Sequence, residues 1–174
     1  QELISKKGKR YISTELGKKI SMLYIEPDTG IIFKDAIMNI EQGKECTLGL
    51  LHLTLSSPDS LPKMYLRQKD WEELTEFLIG IGNELITDPK REMSMGGDEK
   101  MASIKLLRVI CAWTDEWSEE RILSDLGIEP GDLHRAIENC NWLLYSLREI
   151  CNLYGRIDLI SQIEIQIWNR LSFG

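Results

Sequence analysis

The stretch from Glu129 to Ile150, EPGDLHRAIENCNWLLYSLREI, limits the possible folds more than any other part of the sequence. Read as a helix, each residue adds about 100° of rotation. Leu133, Ala136, Ile137, Cys140, Leu143, Leu144, Leu147, Ile150 and Cys151 then gather on one side, at the i, i+3, i+4, i+7 spacing of a buried stripe. Trp142 falls nearly opposite that stripe. Arg135, seven residues earlier, stands almost directly above it, roughly 10 Å along the axis. A complete apolar face therefore coexists with the largest aromatic side chain on the other face, in line with an arginine.

The rest of the chain reads as mostly helical. QELISKKGKRYISTELGKK begins as a hairpin, with Leu3–Ser5 and Tyr11–Thr14 flanking a turn at Gly8. A lone two-stranded hairpin is marginal in water, so this start is expected to be the end of a small domain entered part-way. A short helix is expected over Leu16–Ile25, ending at Glu26-Pro27. PDTGIIFKDAIMNI and TLGLLHLTL supply two further helices. Another opens at Asp70, with Glu73 three residues on in a capping-box arrangement. Its apolar positions are Trp71, Leu74, Leu78, Ile81 and Leu85. TDPKREMSMGGD is expected to be a loop, and Glu99–Trp113 a helix. A short helix starts at Ser118, with Glu119 and Glu120 suited to its N-terminal dipole and Trp117 and Ile122 in staple positions. IDLISQIEIQIWNRLSFG has both alternating and helical isoleucine spacing, and the helical context selects the helix.

The length of 174 residues suits one domain, or one domain plus a fragment. No apolar run approaches the ~20 residues of a spanning helix, and no targeting segment is visible. Cys46, Cys111, Cys140 and Cys151 lack C-x-x-C spacing, and two of them lie on the apolar stripe, so reduced core thiols of an intracellular protein are expected. His52 and His134 show no ligand spacing, so no metal site is expected. The net charge of −7 argues against binding nucleic acid by bulk attraction. The first 20 residues nevertheless carry a local excess of +4, from Lys6, Lys7, Lys9, Arg10, Lys18 and Lys19 against Glu2 and Glu15. Any strand contact must be local.

Catalytic signatures are absent. The Gly-Lys pairs at 8–9, 17–18 and 43–44 are followed by Arg, Lys and Glu, none of which offers the hydroxyl that a P-loop places on Mg²⁺. Neither G-x-S-x-G nor H-E-x-x-H occurs. No catalytic residue is assigned, and the chain by itself is not expected to bind ATP.

Three accounts of Trp142 stay open on spacing alone. The long helix runs through a bundle, so that a second face is also covered. Or Trp142 and Tyr145 form a protein-docking patch, as aromatics do at interface hot spots. Or Trp142 stacks on an unpaired base while Arg135 meets a phosphate, stacking being worth ~1–3 kcal/mol per base.

The block Glu129–Leu133, followed by Arg135 and Trp142–Leu143, resembles the central ratchet helix of the archaeal HelQ-like DNA helicases, a Ski-two-like branch of superfamily 2. TELGKKISMLYIEPDTGIIFKDAI is similar to the junction between that family's winged helix and its ratchet bundle. LLHLTLSSPD resembles the second bundle helix, and NRLSFG the point before the last one. The resemblance implies a mainly α fold: residues 1–26 as the C-terminal part of a winged-helix domain, and 27–174 as a helical ratchet domain without its last helix. It implies a module, non-catalytic itself, that guides the 3′ tail of single-stranded DNA for an ATP-dependent 3′–5′ helicase at stalled replication forks. Arg135 and Trp142 are the DNA-binding residues carried over. ATP and Mg²⁺ belong to RecA-like motor domains that have no counterpart in these residues. An archaeal, cytoplasmic setting follows. Glu138 and Glu149 share the polar face and oppose phosphate. The alternative is a helical protein-interaction domain without nucleic-acid binding, whose binding would be nearly indifferent to salt.

Overall fold

The computed structural model describes residues 2–86 and 95–173. Its first element is an antiparallel ribbon of β1 (Ile4–Lys7) and β2 (Arg10–Ser13), in the register Ile4↔Ser13 to Lys7↔Arg10. Every residue of both strands is exposed, so the ribbon is held at its base rather than by a buried face. Thr14 donates its backbone N–H to the Leu3 carbonyl at 2.9 Å. It also caps the next helix, its side chain accepting the Gly17 N–H at 3.1 Å. Gly17 is required there, since a Cβ on it would lie 2.4 Å from the Leu3 oxygen.

Helix α1 (Glu15–Leu23) stops two residues earlier than its apolar pattern suggests. Tyr24 takes a left-handed conformation, φ 59° and ψ 24°, and ends the helix. The apolar residue beyond it, Ile25, is buried outside the helix. Helix α2 (Pro27–Asn39) begins on the proline, whose lost N–H is harmless in a first turn. Helix α3 (Thr47–Leu55) buries Leu50, Leu51, Leu53 and Leu55.

Helix α4 (Asp70–Ile81) corrects the capping-box reading. Lys69 occupies the cap without a side-chain bond, and Asp70 is the first helical residue. The Asp70 carboxylate is buried and accepts from the Arg67 backbone N–H at 2.9 Å, from Arg67 Nη2 at 2.6 Å and from Lys105 Nζ at 2.7 Å. Two cations compensate a buried carboxylate better than one cap N–H would, and they set its orientation. Along α4 only part of the expected stripe is covered: Leu74 is buried, Leu78 and Ile81 are half-buried, and Trp71 is exposed.

Of the expected loop TDPKREMSMGGD, residues 87–94 lie outside the described residues. Its last two residues already belong to α5 (Gly97–Thr114), which starts before the expected Glu99. Helix α6 (Glu119–Arg121) is capped by Ser118 Oγ, as its sequence suggests, and continues as a π-helical turn over Ile122–Leu126. Ile122 is fully buried, and half-buried Trp117 lies between the guanidiniums of Arg108 and Arg121. That turn ends on Gly127, at φ +68°. A Cβ there would meet the Arg67 guanidinium at 2.2 Å.

Helix α7 (Pro130–Leu153) is the spine. All nine residues of the predicted stripe are buried, and α7 packs against α1, α2, α3 and α5. Phe33, Ile37, Leu50, Leu107 and Ile110 meet Leu143, Leu144 and Leu147 in one core. The C-terminal stretch is helical, as selected: α8 (Ile157–Ser161), a π-helical run over Gln162–Trp168, and α9 (Asn169–Phe173). Ile163, Ile167 and Leu171 are buried four apart, the helical spacing, while Ile165 between the first two is 65% exposed. The architecture is thus mainly α, a bundle preceded by a hairpin, as expected from the sequence.

Candidate nucleic-acid interface

Two contacts fix how α1 lies on the polar side of α7. The Trp142 indole Nε1–H donates to the Leu23 carbonyl at 3.2 Å, and Lys19 pairs with Glu149 at 3.2 Å. Advancing along α7 therefore means going back along α1, so the two helices run antiparallel. Leu23 is the last residue of α1, where carbonyls lack intrahelical partners. The indole N–H supplies one.

Trp142 is accordingly half-buried and packed at the edge of the core. The account in which a second face of α7 is covered describes the indole N–H, which meets the end of α1, while part of the residue stays accessible. Tyr145 is 46% exposed, and its ring stacks on Trp168 with centroids 6.4 Å apart.

Arg135 is in a different state. Its side chain is 68% exposed, and its nearest carboxylate, Asp132, is 3.8 Å away and exposed as well. A surface pair at that distance contributes little, so the guanidinium is open to an incoming anion. His134 beside it hydrogen-bonds Glu119 at 2.9 Å, tying α7 to α6.

Asn139 lies between Arg135 and Trp142, and nothing in its sequence context singles it out. Its Oδ1 accepts the Leu61 N–H at 2.8 Å and its Nδ2 donates to the Asp59 carbonyl at 3.1 Å. The Asp59 carboxylate in turn accepts the Glu26 N–H at 2.8 Å. The loop after α3 and the junction between α1 and α2 are thereby pinned to the same part of α7.

The acidic residues on this face are unequal. Glu149 is held between Lys19 and Arg148, the latter at 2.7 Å, which offsets its repulsion of phosphate. Glu138 is exposed. The hairpin cations Lys6, Lys7, Lys9 and Arg10 are exposed too, and they sit beyond the opposite end of α1 from Trp142.

The remaining chemistry is subdued. All four cysteines are free. Burial pushes the Cys140 and Cys151 thiols up to about 12 and Cys111 to about 11, which keeps them protonated and poorly nucleophilic. Among the described residues no group of His, Cys, Asp and Glu could hold a metal ion, and no helix is long and apolar enough to cross a membrane.

The fold is that of a mainly α bundle built on one central helix, with an exposed arginine and a half-buried tryptophan on the polar side of that helix. The chain belongs to the family described as archaeal helicase, domain 4, whose model matches residues 48–174. It is 34% identical over 152 residues, 86% of this chain and 20% of the relative, to the ATP-dependent DNA helicase Hel308 of Pyrococcus horikoshii. Identity is 30% over 165 residues to the protein of that name from Thermococcus kodakarensis, covering 95% of this chain and 14% of the relative. It is also 30% over 158 residues to the one from Methanocella arvoryzae, covering 88% and 21%. The chain thus spans about a fifth or less of the length of these curated relatives.

Proposed function

We propose that this chain is the strand-guiding part of an ATP-dependent 3′–5′ DNA helicase that acts at stalled replication forks. Residues 1–26 are the end of a winged-helix domain and 27–174 most of a ratchet bundle. The bundle has no catalysis of its own. ATP and Mg²⁺ act in RecA-like motor domains of the same protein, in the cytoplasm. The 3′ tail of single-stranded DNA runs along the outer face of α7, with Arg135 on a phosphate and Trp142 against a base. Membership of the helicase family and the names of the relatives support the parent activity.

The observation that carries the strand contact is the contrast along one line of α7. Arg135 is an exposed cation held only by a 3.8 Å surface pair with Asp132, and two turns away an aromatic is fixed by its N–H with part of its surface accessible. A planar cation suits phosphate and a ring held in place loses little freedom on stacking.

Anisotropy of a labelled single-stranded oligonucleotide, titrated at several salt concentrations, tests this. Trp142→Ala is expected to weaken binding by ~1–3 kcal/mol while keeping the salt slope. Arg135→Ala is expected to weaken it with a slope shallower by about 1. Equal binding by all three proteins, or binding indifferent to salt, would contradict the proposal and favour a protein-docking role.

A further inference from the structure

We infer that Tyr24 is a second aromatic contact for the strand, displayed by the left-handed end of α1 beside Trp142. This rests on the proposed path along α7, and it adds a residue that neither spacing nor resemblance singled out.

Three observations meet at this residue. Tyr24 is 88% exposed, more than any other large apolar or aromatic side chain among the described residues. Its backbone sits at φ 59°, a conformation that normally falls to glycine or asparagine at a helix end. An exposed tyrosine there gains no burial to offset the strain. Residues kept in such conformations cluster at active sites, ligand clamps and switch regions. Third, Trp142 Nε1 is 3.2 Å from the carbonyl of Leu23, the residue bonded to Tyr24. Peptide geometry then puts the Tyr24 Cα no more than about 6 Å from that indole nitrogen.

The surroundings hold Tyr24 in place on both sides. Its own N–H closes on the Ser21 carbonyl. Two residues later the Glu26 N–H is taken by Asp59, in the loop that Asn139 anchors to α7. Leu61 of that loop, 48% exposed, donates its N–H to the same Asn139 at 2.8 Å. The tryptophan N–H fixes the carbonyl just before Tyr24, so Trp142 both offers a surface and positions its neighbour. An unpaired base fits this arrangement because stacking asks only for accessible rings held at a fixed place, whatever the base. Arg135, about two turns along α7 from Trp142, supplies the phosphate contact expected of the same strand.

The test uses a substitution with two effects of opposite sign. Tyr24→Gly removes the ring and relieves the positive φ. It is expected to raise the melting temperature while lowering affinity for a labelled oligo-dT by about 5- to 150-fold. Tyr24→Phe keeps the ring and is expected to bind within about twofold of the parent. An oligonucleotide carrying 2-aminopurine should lose less fluorescence on binding Tyr24→Gly than on binding the parent. If Tyr24→Gly binds like the parent while Trp142→Ala and Arg135→Ala bind weakly, Tyr24 is no contact and the path along α7 stands. If Tyr24→Gly lowers stability and affinity together, its role is structural and the inference fails. Parent-like binding by all of these variants would remove the inference and the path together.

Discussion

Two arginines of this chain, Arg67 and Arg135, each lie three residues from an aspartate, and they are used in opposite ways. Arg67 closes on Asp70 at 2.6 Å, reaches the Asp125 carbonyl at 3.0 Å and packs over Gly127. Lys105 completes that network from α5, with a side chain only 4% exposed. Arg135 stands 3.8 Å from Asp132 in solvent and ties nothing together. The same pair of residue types, at the same spacing, serves as a buried clamp between α4, α5 and the turn before α7 in one region. In the other it is a loose surface pair. A charge engaged from several sides is structural, whereas one left open on the central helix is available to a ligand.

The largest expected effect comes from breaking the clamp. Asp70→Ala would leave Lys105 buried without its carboxylate and should cost about 3–5 kcal/mol, measured by urea unfolding. Acid unfolding sharpens the point. Burial alone would raise the Asp70 pKa, but hydrogen bonds from Arg67 and Lys105 more than offset it, and the group lies at about 2 instead of 3.8. A depressed folded pKa contributes stability that is fully present above the unfolded value. That stability is lost as pH falls through the folded one. Between pH of about 5 and about 2, the parent should therefore lose more stability than Asp70→Asn does.

Next in size is the spine. Leu144→Ala, at a fully buried position, should cost about 2–5 kcal/mol by the same measurement. Trp142→Phe keeps a ring but removes the donor to Leu23. A loss of about 1 kcal/mol is expected. Arg135→Ala should change stability by no more than about 0.5 kcal/mol. A large loss there would erase the contrast between the two arginines.

Periodicity made the spine legible, because α7 buries one continuous stripe and 3.6-residue spacing reports that directly. The same spacing sets Trp142 apart from the buried stripe, although its ring packs at the edge of the core. It could not show that the last turn of α1 lies across the indole, since that contact joins residues 119 apart in sequence. The Asp70 clamp resembles a cap in sequence for a related reason. A capping box is a local pattern, whereas Lys105 arrives from another helix, and burial of the carboxylate decided its partners. The isoleucines near the C-terminus are ambiguous in sequence because Ile163, Ile165 and Ile167 alternate, and only the exposure of Ile165 separates the helix from a strand. Tyr24 left no signal at all. A helix was expected to run through it to Ile25, and its left-handed backbone is visible only in three dimensions.

The strand is proposed to run over the outer face of α7 between Arg135 and Trp142. Nuclear magnetic resonance of the five tryptophan indole N–H signals during titration with a short single-stranded oligonucleotide tests it most directly. The Trp142 signal, together with the Arg135 and Tyr24 amides, should shift first and saturate together. Trp113, whose N–H is directed at Leu171, and Trp117, between its two arginines, should hardly move. Shifts confined to the hairpin around Lys6–Arg10, with Trp142 unmoved, would contradict the account.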